Sequence, residues 1–137
     1  MTRAGSAIQF KRYAFKPEHK DEFLEVWREI VRVRKKNGFV VPFALLDEEN
    51  NILNWAVSHD DFADGATRYY ADPERKKFSR TDYDPATGGY LDDPARAAQR
   101  NIEDYIIKSD INWVSKVPIP DASPPSSSLV WQPSEMS

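Results

Sequence analysis

The chain has 137 residues, no cysteine and a formal net charge of −3 at pH 7. This length suits one domain with a hydrophobic core and is too short for two. The lack of cysteine excludes disulfides, thiolate nucleophiles and cysteine-ligated metals, and the acidic balance argues against a nucleic-acid-binding protein. No apolar run of about 18 residues is present, and the first ten residues lack the apolar core of a signal peptide. We therefore expect a cytoplasmic protein that does not bind membranes.

The first predicted elements are a strand and a long helix. Alternating residue types predict a strand over Ile8–Phe15. One face would carry Ile8, Phe10, Arg12 and Ala14, and the other would carry Gln9, Lys11, Tyr13 and Phe15. A helix is predicted from about Glu18 to Asn37, because apolar residues recur at helical spacing and acidic residues lie near its start, with basic residues near its end. Gly38 is typical of the position just after a helix.

Two strands and a second helix are predicted in the middle of the chain. Phe39–Leu46 is almost wholly apolar, and Pro42 within it indicates an edge strand. After a turn at Asp47–Asn51, a third strand begins at Ile52. In it, Leu53, Trp55 and Val57 alternate with Asn54, Ala56 and Ser58. Asp60 or Asp61 would cap the following helix, and Asp72-Pro73 would end it, because a residue before proline disfavours the helical conformation.

The remaining chain is predicted to form a loop, a helix and a last strand. The loop covers Phe78–Pro94, the helix runs from Pro94 to about Lys108, and the strand covers Ile111–Val117. From Pro118 the chain turns to proline and serine, which do not form a core. The expected organisation is therefore an N-terminal tail over residues 1–7, one domain over residues 8–120, and a flexible tail over residues 121–137.

This element order predicts an α+β protein with the ferredoxin-like βαββαβ arrangement and an extra helix before the last strand. We expect the helices to cover one sheet face, with Phe10 and Trp55 turned toward them. The opposite face would line a cavity and carry Gln9, Lys11, Tyr13, Asn54, Ala56 and Ser58. Two such sheets packed face to face would close a barrel, so we predict a two-fold symmetric homodimer, that is, a dimeric α/β barrel.

Two segments of the chain resemble the NIPSNAP family. They are IQFKRYAFKPEHKDEFLEVW (Ile8–Trp27) and RYYADPERKKF (Arg68–Phe78), and the resemblance extends over about Ile8–Pro120. It implies the dimeric α/β-barrel fold, which the family shares with antibiotic-biosynthesis monooxygenases. Within the first segment, Gln9 replaces an acidic residue of the family pattern, Lys11 replaces an arginine and Glu18 replaces a glycine. The first two of these replacements lie on the predicted cavity face.

Lys11, Tyr13 and His59 are the predicted catalytic residues. Lys11 could hold an anion or enolate, and Tyr13 could transfer a proton. His59 is a candidate general acid or base, because the ordinary pKa of histidine lies near neutrality. By strand parity, however, it lies with Trp55 and Val57, so a structural histidine at the end of a strand is the alternative.

A second set of residues is predicted to bind the substrate. It comprises Gln9, Asn54, Ser58, Trp55, Phe43, Trp113, Tyr83 and Tyr90. The two tyrosines belong to the loop Phe78–Pro94, which is either a lid over the cavity or a surface insertion. The loop also contains Asp82, Asp84, Asp92 and Asp93, but these do not match a calcium-binding EF-hand. No nucleotide-binding motif occurs, so we expect neither a metal nor a cofactor.

These observations predict a cofactor-independent enzyme that acts on an aromatic or polyketide-like molecule in the barrel cavity. Oxygenation, cyclisation, isomerisation and elimination all remain open, and natural-product biosynthesis is the expected setting. One alternative is a noncatalytic ligand-binding or stress-type dimer. Another is an interaction protein that recruits a partner through the C-terminal tail, with Leu129–Trp131 as the anchor. The expected partners are a second copy of the chain and a small molecule.

Overall fold

A four-stranded sheet with helices on one face forms the framework of the protein. The computed structural model describes residues 5–84, 87, 89–93 and 100–121. The strands are β1 (Ala7–Phe15), β2 (Ala44–Asp47), β3 (Ile52–His59), β4 (Thr81–Asp84), β5 (Gly89–Asp92) and β6 (Ile106–Val114). The helices are α1 (Lys20–Lys36), α2 (Phe62–Ala71) and α3 (Pro73–Lys76), with 3₁₀ turns at Pro17–His19 and Ile102–Tyr105.

The main sheet has the strand order β2-β3-β1-β6, and its neighbouring strands are antiparallel. This is the order of a ferredoxin-like sheet, in which the first and third strands lie at the centre, so the predicted α+β fold class is confirmed. The predicted edge position of the second strand is also confirmed, since β2 lies at one edge of the sheet, but Pro42 precedes the strand. This strand is shorter than predicted: it begins at Ala44, and Val40 makes an isolated bridge with Ser58.

Local sequence explains where the helices begin and end. Helix α1 ends at Lys36, and Gly38, which follows its C-cap residue Asn37, has a φ of +87°, the left-handed conformation that favours glycine. The Asp61 side chain caps α2 by accepting a hydrogen bond from the Asp64 backbone N–H at 3.4 Å. Asp72 lies in extended conformation before Pro73 and caps α3 in the same way, with 2.9 Å between its carboxylate and the Glu74 nitrogen.

The segment after α3 differs from the prediction. The predicted loop Phe78–Pro94 contains the hairpin of β4 and β5. The predicted helix was wrong over its last part, because residues 102–105 form a 3₁₀ turn and β6 already begins at Ile106. Ile102, Tyr105 and Ile106 have helical spacing, but the backbone from Ile106 onward pairs with β1. Residues 94–99 of that predicted helix lie outside the described residues, as do residues 1–4 and the tail from residue 122.

The hydrophobic core lies between the sheet and the helices. Phe23, Val26, Ile30 and Val33 of α1 are buried there, as are Phe62 and Ala66 of α2. We call the sheet face against this core the covered face. No described helix packs on the other side, which we call the open face. Among the described residues, no helix is long and apolar enough to cross a membrane.

Candidate functional site

The register between β1 and β3 decides which side chains share a face. Lys11 lies opposite Trp55, and Tyr13 lies opposite Leu53, so all four belong to the covered face. Asn54 lies opposite Arg12 and therefore belongs to the open face. The prediction that Lys11, Tyr13, Asn54 and Ser58 share one face was wrong, because alternation orders the residues within a strand but does not give the register between strands.

A cavity of about 210 Å³ lies on the covered face, between the sheet, the helices and the β4–β5 hairpin. Its aromatic walls come from β1, β3, α2 and β5, and they comprise Tyr13, Trp55, Tyr69, Tyr70 and Tyr90. Three cationic side chains also line it: Lys11, Arg34 and Arg75. An apolar cavity of about 150 Å³ can hold benzene, so this space is adequate for a substituted aromatic ring.

Arg34 enters the cavity from the last turn of α1. Its side chain lies on the buried stripe of the helix, and the residue is only 2% exposed. The guanidinium carbon is 3.8 Å from the Tyr69 ring centroid and 4.7 Å from that of Phe39, which are cation–π distances. Its Nε and Nη1 atoms are buried and have no hydrogen-bond partner among the described residues.

Arg75 enters from α3 and is 4% exposed. Its guanidinium carbon is 4.3 Å from the Tyr70 ring centroid. One terminal nitrogen donates a hydrogen bond of 3.1 Å to Ser79 Oγ, and another lies 3.9 Å from the Asp82 carboxylate. The short helix after Pro73 turns the Arg75 side chain inward against the tyrosines.

Lys11 is the third cation and projects from the centre of the sheet. It is 3% exposed, and its Nζ lies 5.5 Å from the Trp55 ring centroid and 6.0 Å from that of Tyr13. No carboxylate of the described residues forms an ion pair with it. Burial, together with the charges of Arg34 and Arg75, lowers the pKa of the Lys11 ammonium well below its usual value. A neutral amine in this position can accept a proton.

The tyrosines around Lys11 are held in their protonated form. Burial raises the pKa of Tyr13 well above its usual value, and burial raises the pKa of Tyr70 to about 12. Tyr13 also packs edge-to-face against Trp55, with 5.6 Å between the ring centroids. A protonated phenol at the cavity wall can donate a hydrogen bond to a ligand oxygen.

Glu103 is the carboxylate among the described residues that line the cavity. It lies in the 3₁₀ turn before β6, and its Oε1 accepts hydrogen bonds from the hydroxyls of Ser79 and Thr81. Its Oε2 is buried and has no partner among the described residues. Since Ser79 also accepts a hydrogen bond from Arg75, the carboxylate and the guanidinium are joined through one hydroxyl.

His59 lies away from this cavity and joins two helices. Its Nε2 is 3.0 Å from the Asn37 carbonyl, just after α1. Its Nδ1 accepts a hydrogen bond of 2.9 Å from the Asp61 backbone N–H, just before α2. A side chain at Gly38 or Gly65 would collide with the imidazole ring. Because Nδ1 accepts a hydrogen bond and Nε2 faces a carbonyl oxygen, the proton lies on Nε2. These contacts correspond to the alternative reading of His59 as a structural histidine at the end of a strand.

The structure brings four of the predicted site residues to the cavity: Lys11, Tyr13, Trp55 and Tyr90. Gln9 is buried on the covered face but does not line the cavity. Trp113 packs edge-to-face on Phe62, with 4.8 Å between centroids.

Three other predicted substrate-binding residues lie on the open face and do not line the cavity. On the open face, Asn54 accepts a hydrogen bond of 3.2 Å from Arg12. Ser58 lies opposite Ile8 on that same face. Phe43 also belongs to the open face, with its ring 5.9 Å from that of Phe10. The side chain of Tyr83 lies outside the described residues.

Sequence reasoning missed Arg34, Tyr69, Tyr70 and Glu103 as cavity residues. A usable signal existed for Arg34, which follows Ile30 by four positions on the buried stripe of α1. A charged residue on such a stripe indicates a polar site within the core. No group of three or more potential metal-ligating side chains occurs among the described residues.

The fold was compared with known proteins. An uncharacterized NIPSNAP-like domain protein from Burkholderia xenovorans is 15% identical, with 96% of this chain and 99% of that chain covered and a TM-score of 0.58. An uncharacterized NIPSNAP domain protein from the same organism is 14% identical, with 86% of this chain and 97% of that chain covered and a TM-score of 0.54. A protein from Bacteriodes thetaiotaomicron described as a putative antibiotic biosynthesis monooxygenase is 17% identical, with 85% and 93% covered and a TM-score of 0.54.

These similarities show that the chain has the fold of NIPSNAP domain proteins and of the antibiotic-biosynthesis-monooxygenase-like group. The resemblance inferred from Ile8–Trp27 and Arg68–Phe78 is thereby confirmed at the level of the fold. No protein-family model matches the chain. No curated protein matches it either.

Proposed function

We propose that this protein is a cofactor-independent enzyme that moves a proton on a small aromatic or polyketide-like molecule in the cavity of the covered face. The observation that carries the proposal is Lys11, a buried amine with a lowered pKa in an aromatic-walled space. Enzymes that use lysine as a general base lower its pKa toward neutral pH by burial and by neighbouring charges. The aromatic walls of the cavity favour a planar ligand.

The chemistry that suits this geometry is enolisation. The neutral amine of Lys11 takes a proton from a carbon next to a carbonyl group, and the electron pair of the C–H bond moves onto the carbonyl oxygen. Tyr13, which remains protonated, donates a hydrogen bond to that oxygen. The Lys11 ammonium then returns the proton to another atom of the same molecule, which gives an isomerised product. Alternatively, the enolate carbon attacks a second carbonyl carbon and closes a ring; the π electrons of that C=O bond move onto its oxygen, which takes the proton from the Lys11 ammonium.

Oxygenation is the second reaction type within the proposal, supported by the description of the Bacteriodes thetaiotaomicron protein as a putative monooxygenase. In that case a hydroaromatic substrate would react with molecular oxygen. One oxygen atom would enter the substrate, the other would leave as water, and the two electrons would come from the substrate itself. Lys11 would again remove the first proton.

The test is deuterium incorporation into a simple aryl ketone, 2-tetralone, followed by NMR in D₂O. Wild-type protein should exchange the protons next to the carbonyl faster than buffer does, and Lys11→Met should lose at least about tenfold of that acceleration. Tyr13→Phe should lose less. Arg12→Met, a neighbouring cation on the open face, is the matched control. Equal acceleration by wild type and Lys11→Met would contradict the assigned role of Lys11. Binding of the ketone without exchange would favour the noncatalytic alternative.

We also propose that the protein is a homodimer formed through the open face. Phe43 is 39% exposed on this face, Leu45 is 63% exposed and Val114 is 41% exposed. A sheet face of this kind is typically buried against another layer. Leu45→Glu should convert a dimer to a monomer in sedimentation velocity, whereas Thr67→Glu on the outer side of α2 should not. A wild-type monomer at about 100 µM would contradict the proposal, since weaker association is outside the range of stable interfaces.

The cytoplasmic location, the domain limits and a lid role for the β4–β5 hairpin remain predictions. The hairpin contributes Thr81 and Tyr90 to the cavity, which supports the lid.

A further inference from the structure

The cavity of the covered face holds more positive than negative charge. Arg34 and Arg75, which stay protonated in proteins, are each at least nine-tenths buried, and Glu103 is the described carboxylate that lines the same space. Asp82 lies 3.9 Å from Arg75, but its side chain is 37% exposed and belongs to the rim. Buried charges are costly to the fold unless they are paired, so this arrangement favours an anion that arrives from outside.

The two arginines also have hydrogen-bond donors to offer. Arg34 has Nε and Nη1 unpartnered, and Arg75 has Nε unpartnered, within the described part of the chain. Both guanidinium groups lie against the same pair of rings, Tyr69 and Tyr70, at centroid distances of 3.8 to 5.6 Å. Ring faces attract the positive charge but do not accept the in-plane N–H groups. Those donors match the oxygens of a carboxylate or phosphate, which arginine binds in fork geometry.

We propose that the natural ligand carries an ionised oxyanion on its ring system, a carboxylate or a phosphate, and that Arg34 and Arg75 bind it. This inference rests on the proposed function, because it assigns a substrate class to the same cavity. Tyr13, Trp55 and Tyr90 would contact the ring of the ligand. Lys11 would then face the part of the molecule that reacts, while the two arginines hold the anionic end.

The experiment is isothermal titration calorimetry with benzoate, phenyl phosphate and benzamide. Benzoate and benzamide have nearly the same shape, but only benzoate carries a charge. Wild-type protein should bind at least one of the two anions at least about tenfold more tightly than benzamide, as expected for charge-assisted hydrogen bonds. Comparison of benzoate with phenyl phosphate decides which oxyanion fits.

Variants assign the binding to the arginines. Arg34→Met should remove the preference for the anion and leave weak binding of benzamide. Arg12→Met, which removes a cation from the open face, should leave all three affinities unchanged. If Arg34→Met does not fold, as judged by circular dichroism, Arg75→Met takes its place, and the comparison of benzoate with benzamide on wild type does not depend on any variant.

The outcomes separate this inference from the proposed function. Equal affinity for benzoate, phenyl phosphate and benzamide would overturn the oxyanion site and leave an aromatic-binding cavity intact. A preference for the anions that persists in Arg34→Met and Arg75→Met would also overturn it. Tighter anion binding without any exchange of 2-tetralone would support the oxyanion site and count against the enzyme. Absence of binding by all three compounds would overturn both.

Discussion

The two faces of one sheet put neighbouring cations in opposite environments. Lys11 is buried on the covered face, with a lowered pKa and no carboxylate of the described residues paired to it. Arg12, the next residue, is exposed on the open face and donates a hydrogen bond to Asn54. The difference comes from the helices: Trp27 of α1 packs edge-to-face on Trp55, with 5.5 Å between ring centroids, and closes one face to water. Burial against the helices therefore distinguishes the environment of Lys11 from that of Arg12.

The largest expected effect contrasts the packing of the two faces. Trp55→Ala removes a side chain that is 0% exposed, so we expect a loss of about 3–5 kcal/mol in the free energy of unfolding. Leu45→Ala on the open face should cost the monomer less than about 1 kcal/mol, because that side chain is largely exposed. Urea denaturation at a low, fixed protein concentration measures both. Similar losses would show that the open face is buried to the same degree.

A smaller effect concerns the charge of Lys11. The folded protein releases the Lys11 proton at a lower pH than the unfolded chain, whose lysine has the usual value of 10.5. Between these two pKa values the unfolded state binds more protons, so the free energy of unfolding contributed by Lys11 rises with pH. Its cost to the fold is therefore greatest at low pH. Lys11→Met should stabilise the protein at pH 7 by about 1 kcal/mol or more.

The pH dependence of that gain is the sharper part of the prediction. The advantage of Lys11→Met over wild type should shrink as the pH approaches 10.5. Thermal and urea unfolding of both proteins between pH 6 and about 10 would measure this difference in the free energy of unfolding. The matched variant Arg12→Met should show no such dependence. A constant difference at every pH would mean that Lys11 keeps its ordinary pKa.

The smallest effect is expected for the polar contact on the open face. Asn54→Ala removes the acceptor of the exposed hydrogen bond from Arg12, and exposed contacts of this kind contribute little to stability. We expect a change within about 0.5 kcal/mol in the free energy of unfolding and no change in ligand affinity. Lower affinity for benzoate in this variant would show that Asn54 contributes to ligand binding, as predicted from the sequence.

Local patterns were sufficient for much of the fold and for part of the site. The alternation in Ile8–Phe15 correctly grouped Lys11 with Tyr13. The aspartates before Phe62 correctly marked the start of α2, and Asp72-Pro73 correctly marked its end. The register between strands was not predictable, because a shift by one residue reverses the face of a whole strand. For the same reason Asn54 and Ser58 were wrongly assigned to the cavity.

Contacts distant in sequence account for the other misses. Ile106 continued a helical pattern, but its backbone pairs with Phe15, and tertiary pairing prevailed over local spacing. Arg34 looked like part of the basic end of α1, which favours the helix dipole. Only the packing of Tyr69 and Phe39 around it shows that its charge lies inside the protein.

The most direct test of the account is an NMR titration that follows the Nε–H signals of Arg34 and Arg12 in one sample while benzoate is added. The two arginines belong to opposite sides of the same sheet, so each serves as the control for the other. We predict that the Arg34 signal shifts in a saturable way and that the Arg12 signal stays in place. A saturable shift of Arg12 with Arg34 unchanged would place the ligand on the open face and contradict the assignment of the site.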